Sequence, residues 1–175
     1  VEIDANQIDR VIDKVGTGDL TVKNLKITNG RVVGEDSGGG IRFISDPNVS
    51  SAGNLTLSGV TVSENTAGYA GGLRIANTAA GMSVTIRNSS ILTNFANVAD
   101  GGAIQISDAR LDIVNSTLSG NKAAMNGGGI YSTDSVISGR NLTIARNDAD
   151  VSASNFGDGG GLYANGKQKV DVTNS

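Results

Sequence analysis

The feature that most constrains this chain is a repeated unit, plainest in Leu111 to Tyr131, LDIVNSTLSGNKAAMNGGGIY. Its first half alternates: Leu111 and Ile113 are apolar, Asn115 follows, then Ser116 and Leu118 flank Thr117 before Asn121. Alternation of period two marks a strand with one buried face. Asparagine at the break tolerates a left-handed bend between two strands. A polar turn leads to Gly127-Gly128-Gly129, where the backbone turns or packs closely, and a second apolar segment begins at Ile130. One unit therefore reads as strand, bend, strand, loop, strand.

Further copies of the first half start at Leu20, Leu55, Val84, Ile137 and Val170, so successive starts are 35, 29, 27, 26 and 33 residues apart. The glycine half recurs as GGGIRF, AGGLRI, GGAIQI, GGGIYS and GGGLYA, ending at Phe43, Ile75, Ile106, Ser132 and Ala164. A unit this short cannot bury its own apolar face and must stack on its neighbours. The expected fold is all-β: a single-stranded parallel β-helix, or solenoid, of about six coils with three short strands each. Residues 1–175 form one domain, with 1–19 a degenerate first coil (Val1 and Ile3 in one strand, Val11 and Val15 near a second) and 20–175 regular coils.

The inward rows follow from the alignment. Row one is Leu20, Leu55, Val84, Leu111, Ile137 and Val170; row two is Val22, Leu57, Ile86 and Ile113, a gap at Gly139, then Val172. Past the bend come Leu25, Val60, Ser89, Ser116 and Leu142, then Ile27, Val62, Ile91, Leu118 and Ile144. The glycine segments add Ile41, Leu73, Ile104, Ile130 and Leu162. Coils lie about 4.8 Å apart, so each row is a column of touching side chains. Aromatic content is only 3%, which leaves the core to these aliphatics.

The succession [LIV]T[LIV]xN, Φ-x-Φ-x-x-N and GG[GA][IL], with Φ an apolar residue, resembles right-handed parallel β-helix repeat proteins of bacterial surfaces. These include the polymorphic outer-membrane proteins and autotransporter passengers of the pectate-lyase-like group. The resemblance covers essentially the whole chain. Only Gly101-Gly102-Ala103-Ile104 spells the GGAI of the polymorphic proteins, and the FxxN tetrapeptide that accompanies it there is absent. It implies a right-handed coil and an extracellular or cell-surface bacterial rod, structural or adhesive. The alternative is a fragment of a carbohydrate-active β-helix enzyme, a polysaccharide lyase or hydrolase.

Charge and composition narrow the functions. A net charge of −3 with no basic run argues against nucleic acid as partner. The chain has no cysteine and no histidine, hence no disulfide, no thiolate metal site and no imidazole base. No apolar run approaches the roughly 20 residues of a membrane span, so this segment is not expected to insert into a membrane. The final coil lacks a polar cap, which suggests a piece of a longer protein or a module stacking end to end on itself or on neighbouring coils.

Four sets of residues are candidates. The bend asparagines Asn24, Asn88, Asn115 and Asn141 should form an inward ladder of amides, interrupted by Gly59. Asn88, Asn115 and Asn141 spell N-x-[ST] through the repeat itself; Asn48 and Asn54 carry the same motif in a loop. The outward row of the glycine segment, Arg42, Arg74, Gln105, Tyr131 and Tyr163, offers guanidinium, amide and phenol groups to a surface glycan. Asp100, Asn126 and Asp158 precede the glycines on consecutive coils; they form a weak calcium candidate, although Asp or Asn before Gly commonly makes a turn. Otherwise no cofactor is expected, and no catalytic residue stands out. Threonine rows (Thr21, Thr56, Thr85 and Thr61, Ser90, Thr117, Thr143) raise ice binding as a third function, but Asp112, Asp171 and Lys26 break them. Phe156, in the insertion from Asn147 to Gly160, is a candidate exposed anchor.

Overall fold

The alternating runs become the strands of a parallel β-solenoid, seen in a computed structural model describing residues 1–46, 48, 51–77, 81–151, 157–167 and 169–174. Phe156 lies outside these residues. The chain winds through β1 (Glu2–Asp4), β2 (Ile12–Val15), β3 (Leu20–Lys23), β4 (Lys26–Thr28), β5 (Ile41–Ile44), β6 (Leu55–Ser58) and β7 (Thr61–Ser63). It continues through β8 (Thr66–Ala67), β9 (Leu73–Ala76), β10 (Ser83–Arg87), β11 (Ser90–Leu92), β12 (Phe95–Ala96) and β13 (Ile104–Ser107). The last strands are β14 (Arg110–Ser119), β15 (Lys122–Ala123), β16 (Ile130–Thr133), β17 (Val136–Ala145), β18 (Leu162–Asn165) and β19 (Lys169–Thr173).

Three parallel sheets line the coil. The bent runs build a ten-stranded sheet, the glycine segments a six-stranded sheet β18-β16-β13-β9-β5-β2, and three two-residue strands a small third sheet, β15-β12-β8. About five turns are complete, not six, because β1 and β2 at one end and β19 at the other belong to partial turns. At about 4.8 Å per turn the rod is ~24 Å long. In β14 and β17 the two arms around the bend fuse into one ten-residue strand.

The registers reproduce the expected rows. Leu20, Leu55, Val84, Leu111, Ile137 and Val170 stand in one column. Ile41, Leu73, Ile104, Ile130 and Leu162 stand in another. The gap at Gly139 is filled by Leu142 and Val172, whose methyl carbons lie 3.0 and 3.4 Å from where its Cβ would be. Phe43, one step beyond Ile41, is among the largest fully buried side chains. In the first partial turn β2 spans Ile12–Val15; Ile12 and Lys14 take the register against Ile41 and Phe43, and Val11 packs against the core beside Ile12. Val15 is exposed, and the Lys14 ammonium sits 5.8 Å from the Phe43 ring centre, a cation over the face of the last core aromatic.

Sharp corners need left-handed residues. Asn24, Asn88, Asn115 and Asn141 have φ of 54°, 50°, 49° and 48°, and Gly59 takes the same bend at 64°. The Asn115 amide donates to Asn88 Oδ1 (3.3 Å) and the Asn141 amide to Asn115 Oδ1 (3.0 Å). This ladder faces solvent rather than the core. The inward assignment is corrected for a simple reason: the bend turns the peptide over, so the residue at its apex points away from both flanking apolar rows. The buried polar column beside it is serine. Ser89 Oγ accepts from Val60 N and Ser116 Oγ from Ser89 N, at 3.1 and 3.2 Å.

The inward amide ladder lies one corner further on, at the last Asn of Φ-x-Φ-x-x-N. Asn65, Asn94 and Asn121 are fully buried. Asn94 Oδ1 accepts from the backbone N–H (3.1 Å) and the side-chain amide (2.9 Å) of Asn65, while Asn94 Nδ2 donates to Val62 O (3.0 Å). Asn147 continues the pattern against Asn121. The following glycines make room for it. A Cβ on Gly72 or Gly129 would stand 3.2 Å from the amide nitrogen of Asn94 or Asn147.

Candidate functional site

The outward row of the six-stranded sheet is the face on which side chains of different chemistry stand in strict register. Strand pairing aligns Asp13, Arg42, Arg74, Gln105, Tyr131 and Tyr163, one from each of β2, β5, β9, β13, β16 and β18. Each has at least one inward aliphatic neighbour packed in the core (Ile12, Ile41, Leu73, Ile104, Ile130 and Leu162), so the row inherits their spacing of about 4.8 Å.

Three zones result. At the first, Arg42 grips Asp13 with two hydrogen bonds, Nε to Oδ1 at 2.9 Å and Nη2 to Oδ2 at 2.7 Å. Asp36 stands 3.6 Å from Arg42 Nη1 and also pairs with Arg10. The Arg42 hydrogen bond holds the Asp13 carboxyl below its ordinary range, and the same bond raises Arg42. In the middle zone Arg74 has neither ion pair nor hydrogen bond among the described residues, and burial lowers its pKa. Gln105 beside it is only 9% exposed, and its buried Oε1 has no partner. At the far zone Tyr131 and Tyr163 stack, ring centres 5.4 Å apart and planes within 8°.

A cleft of about 290 Å³ opens over the middle zone, lined by Glu35, Ser37, Tyr69, Arg74 and Gln105. Tyr69 and Ser37 come from the loops before β9 and β5 and are bridged to each other. A second concavity, about 260 Å³, lies beside the exposed bend ladder between Arg87 and Arg140, with Asn88, Val114 and Asn115.

The acidic trio before the glycines forms a turn ladder. Asp100 Oδ1 accepts from both the backbone N–H and the side-chain amide of Asn126, each at 2.9 Å, and Asn126 Oδ1 accepts from Asp158 N at 2.9 Å. Asn126 thus sits between the two carboxylates. Among the described residues no group of three His, Cys, Asp or Glu gathers where it could hold a metal ion.

The loop asparagines are engaged locally. Asn48 donates to Asp46 Oδ1, and Asn54 donates its backbone N–H and its side-chain amide to Asp19 Oδ1 while its own Oδ1 accepts from Ser83 N. The threonine rows run Thr21, Thr56, Thr85, Asp112, Ser138, Asp171 and Lys26, Thr61, Ser90, Thr117, Thr143. Asp112 in the first is bonded to Arg110, and Lys26 at the head of the second is ion-paired with Glu2.

The sequence places Arg42, Arg74, Gln105, Tyr131 and Tyr163 in one outward row, as the register has them, but shows neither the Arg74–Gln105 cleft nor the buried ladder. Glu35, Ser37 and Tyr69 sit in irregular segments with no repeat signature. These features define a parallel β-solenoid carrying a mixed aromatic and polar face. Comparison with protein-family models, with curated proteins and with solved structures returns no match.

Proposed function

We propose that this chain is a structural and adhesive rod of a bacterial surface or secreted protein, contacting glycans through the outward row of its six-stranded sheet. The observation that carries the reading is the Tyr131–Tyr163 pair. The two phenol rings stack one coil apart, and because β18 ends its sheet the outer face of the Tyr163 ring and the two hydroxyl tips are left for the C–H face and rim hydroxyls of a sugar ring. Gln105, Arg74 and Arg42 continue the row with polar groups in register. The resemblance to bacterial surface passengers agrees with it. Stacking of copies end to end would cover Val170 and Val172 of β19, both exposed.

A glycan array, followed by titration of the best ligand, tests the reading. Tyr131→Ala with Tyr163→Ala should weaken binding by about tenfold or more, since each lost sugar–aromatic contact is worth on the order of 1 kcal/mol. An array with no ligand, or a double variant that binds as well as the parent, overturns it.

A further inference from the structure

The charges along the row are unequally satisfied. Arg42 is neutralised by Asp13 and Asp36, whereas Arg74, one coil away, has no ion-pair or hydrogen-bond partner among the described residues and lines a cleft. A half-buried cation stripped of water and left without a counter-ion is costly unless something anionic visits it. The neighbour tells what else that visitor carries. Gln105 Oε1 is buried and accepts nothing from the protein, so it is an acceptor waiting for a donor. Arg74 and Gln105 are adjacent in register, and both residues line the same cleft.

An anion and a hydrogen-bond donor within one coil spacing are what an acidic sugar presents, with an acid group beside a ring hydroxyl. We propose that this cleft binds an anionic sugar residue, its carboxylate or sulfate on Arg74, a neighbouring hydroxyl on the Gln105 side-chain amide once it turns Oε1 toward the cleft, and its ring against Tyr69. The planar fork of arginine suits either acid group. Glu35, exposed on the rim, opposes the incoming anion and limits its affinity. This inference rests on the glycan-face reading but draws on different residues from the tyrosine pair.

The test uses the 175-residue chain and three oligosaccharides. One alternates glucuronic acid with N-acetylglucosamine, one is the same molecule with its carboxyls reduced to alcohols, and one carries sulfate but no carboxylate. Calorimetry at low salt should show at least one acidic probe binding on the order of ten- to a hundredfold tighter than the reduced probe. The tighter acidic probe identifies the acid group. Arg74→Gln should erase that preference with an unchanged melting curve, and Arg74→Lys should restore part of it. Gln105→Met should weaken the acidic probe, while Glu35→Gln should tighten it.

Equal binding of acidic and reduced probes, or indifference to Arg74→Gln, overturns the cleft. If the tyrosine double variant still loses neutral glycans in that case, the face reading survives. Conversely, Arg74-dependent acid binding indifferent to the tyrosine variants upholds the cleft and removes the face.

Discussion

Asn94 and Asn121 lie one turn apart, and a single oxygen, Asn121 Oδ1, accepts both the backbone N–H and the side-chain amide of Asn94, each at 3.0 Å. The Asn94 backbone and side chain are thereby fixed together, and its remaining amide proton reaches Val62 O.

Asn94→Ala should therefore cost about 2–3 kcal/mol, because buried donors and acceptors above and below lose their partners. Asn115→Ala, in the exposed ladder, should cost only about 1 kcal/mol, chiefly from placing alanine at positive φ. Chemical denaturation of the two variants checks the ranking. A larger loss for Asn115→Ala would contradict the assignment of the buried ladder.

Each residue just before that ladder is left-handed: Glu64, Thr93 and Arg146 at φ of 60°, 52° and 55°, with Gly120 at 67°. Thr93 is β-branched and exposed, so it bears the strain without compensating burial. Thr93→Asn should raise stability by about 0.5–1 kcal/mol, since asparagine accepts this conformation more readily. The midpoint of urea unfolding should rise with an unchanged slope.

Asp13 supplies a pH dependence. Its folded carboxyl titrates below the ordinary 3.8 because Arg42 bonds the ionised form. The stabilisation is present above that ordinary value and is lost as pH falls through the lower folded one. Both partners are partly exposed, so the effect should stay within about 1 kcal/mol. Unfolding of the parent and of Asp13→Asn should differ at pH 6 and converge as pH drops below 3.8.

Most of the architecture was legible because one alternation fixes both the strand and its buried face. Leu111 and Ile113 could face only inward once Asn115 was read as a bend. What escaped was decided by contacts between distant residues. Asn121 ends its motif among polar residues and looks like any loop asparagine. Its burial follows only from Gly102 and Gly128, where a Cβ would press within 2.3 and 2.2 Å of a carbonyl oxygen on the next coil, forcing the turns close. The same holds for the strand of Lys122 and Ala123, too short to show any periodicity. The cleft depended on Glu35, Ser37 and Tyr69, which sit on two different coils.

The polar ladders also give the rod two opposed senses of direction. Along the core the amide-to-amide bonds run toward the later coil, Asn65 to Asn94 to Asn121 to Asn147, while the second proton of each nitrogen goes to a carbonyl one coil earlier. On the surface the direction reverses: Asn126 points its nitrogen back to Asp100, and Asn141 and Asn115 point theirs back to Asn115 and Asn88. The amide-to-amide bonds of the two kinds of ladder therefore run in opposite senses along the axis. A turn added to such a stack extends both senses by one bond each.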